Sequence, residues 1–215
     1  MFYLFIRCLC GALALKLFFY CFQNGSPVFV SMITATTPIF IASINKVFWK
    51  VSINKFQVLG SCLVLISILS LKFMDFVLDI KILSLAILGV LLSSIGFISL
   101  KKATEDYSPK FIIFLFSFFT FIVSLDDFGS SNLLENNSYL YLIVVSCTAL
   151  GAQYFMTLTY RELDASVANN LSRLNIVWIY FIQIAFFNNP FYFIEMSLVI
   201  LLVLGCFLVS YKKNI

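Results

Sequence analysis

The sequence predicts an all-α polytopic membrane protein, with about eight transmembrane helices in two inverted repeats, the first repeat shortened. Three observations predict it. The 215-residue chain is 62% hydrophobic and only 11% charged, with a mean hydropathy of +1.04, whereas a soluble domain of that length needs a far more polar surface. Apolar runs near the roughly 20 residues that cross a bilayer as a helix follow one another with short breaks. The basic residues, finally, gather at alternate ends of those runs.

In chain order the runs are 3–22, 27–46, 56–73, 80–100, 111–126, 139–159, 165–187 and 191–211. The first opens directly from MFYLFIRCLC, which lacks the basic start and small-residue cleavage site of a signal peptide. QNGSP at 23–27 closes it with turn chemistry, as FGSS at 128–131 and NNP at 188–190 do later. Residues 1–73 form the first repeat and 77–215 the second. One set of ends carries Arg7, Lys46, Lys50, Lys55, Lys101, Lys102, Lys110, Arg161, Lys212 and Lys213. The other carries Lys72 and Lys81 against Asp75, Asp79, Asp126, Asp127, Glu135 and Glu195. Basic residues stay on the cytoplasmic side, so both termini are expected in the cytoplasm of a cell inner membrane.

Several function classes drop out. The net charge of +4 is spent on sidedness, so the expected partners are the lipid bilayer and a small-molecule substrate, with no nucleic acid. Six cysteines lie almost all within apolar runs, and the chain has no histidine, so no metal site or cofactor is expected. No paired intramembrane carboxylates and no G-x-S-x-G elbow are present, which argues against an enzyme and leaves no catalytic residue to name.

The polar residues inside the spans are the candidate binding residues. TATTPIF at 34–40 sets three threonines and a proline inside an uncharged run. Threonine hydroxyls bond preceding carbonyls, while Pro38 removes a donor and bends the helix. Thr37 lies ten residues in from Pro27, or about 15 Å at ~1.5 Å per residue, close to the midplane. Thr34, Thr37 and Pro38 therefore either form a packing kink or line a path. Lys16 and Arg173 each interrupt an apolar run at mid-depth, where a charge normally faces the bundle interior or snorkels to an interface. Tyr20 shares the face of Lys16, and Asn169 that of Arg173. Two such cations favour a substrate bearing a carboxylate. Gln153 adds a neutral hydrogen bond to substrate or clasps a neighbouring helix.

An internal repeat gives these segments a common frame. Residues 26–49 lie on 164–187 without a gap, at an offset of 138, so that Pro38 falls on Ile176 and Phe40 on Trp178. The two segments run in opposite directions through the membrane, as an inverted repeat requires. The stretch IRCLCGALALKLFFYCFQNGSPVFVSMITATTPIFIASINKVFW resembles the first repeat of an EamA-type carrier of the drug/metabolite transporter superfamily, on Arg7, Gly11, Phe19, Tyr20, Pro38, Ile39, Phe40 and, further on, Gly60. YRELDASVANNLSRLNIVW is similar to a second-repeat segment, on Arg161, Ala165, Ser166, Val177 and Trp178. The resemblance implies a carrier that moves a small metabolite by alternating access; within the family the match looks most like amino-acid and S-adenosylmethionine carriers. Family members usually have ten helices, and this chain starts where the third would start. The alternative is thus a truncated or degenerate relative that is inactive or needs a partner, a homodimer included.

Overall fold

The computed structural model describes residues 1–25, 30, 33–34, 36–49, 56, 59–60, 62–63, 66–67, 80–126, 138–163, 168 and 193–210. Helices account for the ordered elements among them, and no strand occurs among the described residues. They are α1 (Phe2–Asn24), α2 (Thr37–Trp49), α3 (Ile80–Asp106), α4 (Pro109–Val123), α5 (Ser138–Glu162) and α6 (Phe193–Ser210). Among the described residues, three helices are long and apolar enough to cross a membrane: Phe2–Asn24, Ile80–Asp106 and Leu140–Glu162. Shorter apolar helices cover Pro109–Val123 and Met196–Gly205.

Local chemistry explains where the helices stop. At the end of α1 the Asn24 amide donates to the Tyr20 carbonyl at 2.9 Å, so the side chain answers one of the orphan acceptors of the last turn. Helix α3 runs through Lys101 and Lys102 to Asp106, past the expected end at residue 100. Lysine is a good helix former, and nothing in KKATED breaks the hydrogen-bond ladder. Ser108 then takes an extended conformation and Pro109 starts α4, where a missing N–H costs nothing. At the far end of α4 the Ser124 N–H reaches back to the Thr120 and Phe121 carbonyls.

Packing centres on α1. Its broadest contact is with α3, followed by α4, while α2 lies on α3, and α5 touches α3 and α4. Two apolar clusters mark the two ends of this assembly. Leu4, Cys8, Leu100, Ile112, Phe116 and Tyr160 form one; Cys21, Val30, Ile33, Ile82 and Val90 form the other. Helix α1 meets α3 closely because both present glycines, and Gly89 accepts the Phe18 ring so tightly that a Cβ there would lie 2.7 Å from Phe18 Cε1. In lipid such small residues drive association, since burying apolar surface offers no advantage over contact with acyl chains.

The polar contacts sort by end. Lys102 Nζ donates to the Tyr3 hydroxyl at 3.2 Å and sits 4.6 Å from its ring centroid. Lys101 Nζ donates to the Arg161 carbonyl at 3.1 Å, bringing the starts of α1 and the ends of α3 and α5 together. At the other end Lys81 lies over the Tyr20 ring, 5.7 Å from its centroid.

Candidate functional site

The TATTP segment is more than a bend. Thr36 forms a turn, with its N–H and hydroxyl both donating to the Ile33 carbonyl, at 3.0 and 2.6 Å. Helix α2 then starts afresh at Thr37, so Pro38 occupies the first turn, where proline is tolerated, instead of kinking a continuous helix. The Thr37 hydroxyl donates to the Thr34 carbonyl. Thr36, Thr37 and Pro38 are buried and Thr34 is half-buried. A break in helical backbone is thus packed on protein and kept from lipid, as the hydrogen-bond requirement demands.

Lys16 departs from the expectation of a cation awaiting an anionic substrate. Its Nζ lies 2.6 Å from both carboxylate oxygens of Asp126 and donates to the Val123 carbonyl at 3.1 Å. The lysine side chain is 33% exposed and the aspartate 72%, so the pair sits at the end of α4 near the surface. The flexible stem carries the charge from α1 outward to that carboxylate, which is snorkelling. The charge of Lys16 is met within the protein, and it supplies no argument for a carboxylate-bearing substrate.

The remaining expected residues are distributed as follows. Tyr20 is 40% exposed beside Lys81. Gln153 is half-buried on α5, and its carbonyl accepts from the Thr157 hydroxyl at 2.7 Å. Its neighbour Tyr154, not among the candidate binding residues, lines an open groove between α4 and α5 with Lys110, Phe114 and Ser117. Asn169 and Arg173 lie outside the described residues. The spans expected at 56–73 and 165–187 also fall largely outside them.

Arg7, grouped with the basic span ends in the sequence, was not among the expected binding residues; it is 4% exposed and points into the bundle between α1, α3 and α4. Its Cζ lies 4.4 Å from the Phe116 ring centroid and 5.7 Å from that of Phe97, and Phe97 stacks on Tyr160 at 5.3 Å. Two glycines make the room. A Cβ at Gly11 would meet Arg7 Nη1 at 2.5 Å and Phe116 Cε2 at 2.7 Å; one at Gly96 would lie 3.6 Å from Nη1. Among the described residues no carboxylate pairs with the guanidinium, and its buried Nε has no hydrogen-bond partner. Desolvated cation–π contact is worth about 2 kcal/mol, and it offsets only part of the cost of a buried charge. The signal was present in the sequence, since Arg7 and Gly11 stand four apart on one helical face.

With this geometry in view, the family model described as "EamA-like transporter family" matches residues 1–72 and 80–211. No curated protein matches the chain.

Proposed function

The chain belongs to the EamA-like transporter family, and from that premise we propose that it moves a small metabolite across the cell inner membrane by alternating access. The family match over residues 1–72 and 80–211 carries this reading, because it spans nearly the whole chain and its members are membrane transporters. The apolar helices make it a multi-pass membrane protein. The cargo is an amino acid, S-adenosylmethionine or a similar solute that carries a carboxylate.

In this reading about eight spans form two inverted repeats, 1–73 and 77–215, that rock against each other around a midplane site. The gathering of Lys101, Lys102 and Arg161 with the start of α1 supports an orientation with both termini in the cytoplasm. Thr34, Thr37 and Pro38 line the path with Tyr20, Gln153, Asn169 and Arg173; the buried turn ahead of α2 supports that assignment. Uptake and efflux of a labelled metabolite panel in proteoliposomes tests the reading. Movement of at least one carboxylate-bearing solute above empty liposomes is expected, and movement of none by folded protein overturns it.

A second reading has a specific observation in its favour. Leu140 to Val145 on α5 are all exposed, from 48% to 71%, so this relative of the family works with a partner, a second copy included, that covers α5. Native mass spectrometry from nanodiscs distinguishes a monomer from a larger assembly.

A further inference from the structure

We propose that Arg7 is the anion-binding residue of the carrier, taking the carboxylate of the substrate where α1 crosses α3. The inference rests on the carrier reading above and deepens it by naming the residue and the group that it holds.

Four observations converge on this place. The guanidinium is almost wholly buried, at 4% exposure, so water alone does not solvate it as at a surface. Its Nε is buried with no hydrogen-bond partner, an expensive state for a charged donor. Aromatic rings flank the cation instead of a carboxylate, Phe116 closer and Phe97 further. Those rings hold the planar fork in place while leaving its Nε–H unmet. Finally, Nη1 lies against two glycines: a Cβ at Gly96 would sit in ordinary van der Waals contact with it at 3.6 Å, and one at Gly11 would collide with it at 2.5 Å.

The contrast with Lys16 sharpens the assignment. Both cations sit on α1, but Lys16 has Asp126 at 2.6 Å and Arg7 has no carboxylate among the described residues. A buried guanidinium with no carboxylate beside it among the described residues gains from a counter-charge that arrives and leaves. A substrate carboxylate does both, and a guanidinium grips it through two parallel N–H bonds that a lysine cannot reproduce.

The test uses the full chain in nanodiscs and proteoliposomes, with the α-amino acids as probes, each beside its carboxamide. At least one amino acid binds and is transported by the native protein, and its carboxamide binds far more weakly. Arg7→Lys weakens binding about tenfold and Arg7→Gln about a hundredfold, the range expected for losing hydrogen bonds to a charged group. Gly96→Asp supplies an internal carboxylate beside Nη1; it raises the melting temperature and abolishes binding, a pair of opposite changes that loss of fold cannot produce. If Arg7→Gln fails to insert, Arg7→Lys and Gly96→Asp decide the matter. Native affinity in either Arg7 variant, or in a folded Gly96→Asp variant, overturns the site alone. Transport of only carboxylate-free solutes by the native protein also overturns the site but leaves a carrier. Transport of nothing overturns both.

Discussion

Helices α1 and α5 fall on each other in the inverted repeat expected from the sequence. Carried back along the chain, the 138-residue offset that lays 26–49 on 164–187 lays Phe2–Asn24 on 140–162, within α5 (Ser138–Glu162). Both are long enough and apolar enough to span a bilayer, yet 33% of the α1 membrane window is buried and only 6% of that of α5. Helix α1 lies under α3 and α4. Helix α5 touches the same two helices with its later half, while residues 140–150 are exposed throughout. The difference lies in neighbours more than in hydropathy. Apolar composition brings a helix into the membrane; close-packing residues such as Gly11, Gly89 and Gly96 determine which face meets protein there.

The largest expected effect is a contrast between glycines. In α1, Gly11→Ala would drive its Cβ to 2.7 Å from the Phe116 ring and 2.5 Å from Arg7, both of them buried groups. Overpacking of this kind costs about 1–3 kcal/mol. In α5, a Cβ at Gly151 meets nothing within 4 Å, so Gly151→Ala should be neutral or should stabilise by up to ~1 kcal/mol through helix propensity. Thermal denaturation in nanodiscs measures both. Equal destabilisation at the two sites would mean that α5 is as tightly covered as α1.

Much of the helical layout was legible in the sequence, and the lateral arrangement was not. The runs expected at 3–22, 80–100, 111–126, 139–159 and 191–211 meet α1, α3, α4, α5 and α6 within a few residues at most ends, because span length and turn residues are local properties. The run at 27–46 met a turn at Thr36 and a new helix at Thr37; hydropathy registers depth and is blind to a break that three threonines can satisfy. The surroundings of Arg7 and Lys16 were hidden for one reason. In a helix apolar on nearly every face, no periodicity reports which face turns to protein and which to lipid. The partner of Lys16 lies 110 residues away at Asp126, beyond the reach of any local pattern.

Cysteine accessibility gives a smaller but more direct measure of the same contrast. Cys8 and Cys21 on α1 are buried free thiols, whereas Cys147 on α5 is an exposed one. A lipid-dissolved photoactivated carbene reagent, which needs no thiolate, should label Cys147 in intact membranes while Cys8 and Cys21 remain unlabelled, as read by mass spectrometry of the tryptic peptides. Protection of Cys147, or its oxidative cross-linking to a second copy, would recast the difference. The bare half of α5 would then be an interface instead of a lipid-facing surface.

The smallest effect is expected at the ion pair that ties α1 to the end of α4. At the expected 138-residue offset Lys16 falls on Tyr154, which carries no ammonium for such a tie. Its geometry is short, with Nζ 2.6 Å from both oxygens of Asp126, but the aspartate is 72% exposed, and solvent screens such a pair strongly. Short distance therefore does not translate into large stability. A double-mutant cycle of Lys16→Met and Asp126→Asn should give a coupling of about 0.2–1 kcal/mol, falling as salt is raised. Lys16→Met also leaves the Val123 carbonyl without its donor, but that carbonyl lies in the last turn of α4, where water or lipid headgroups replace it. A coupling of several kcal/mol that is indifferent to salt would place the pair in a dry interior. The charge of Lys16 would then rank with that of Arg7 as a buried cation, and the snorkelling account of α1 would fail.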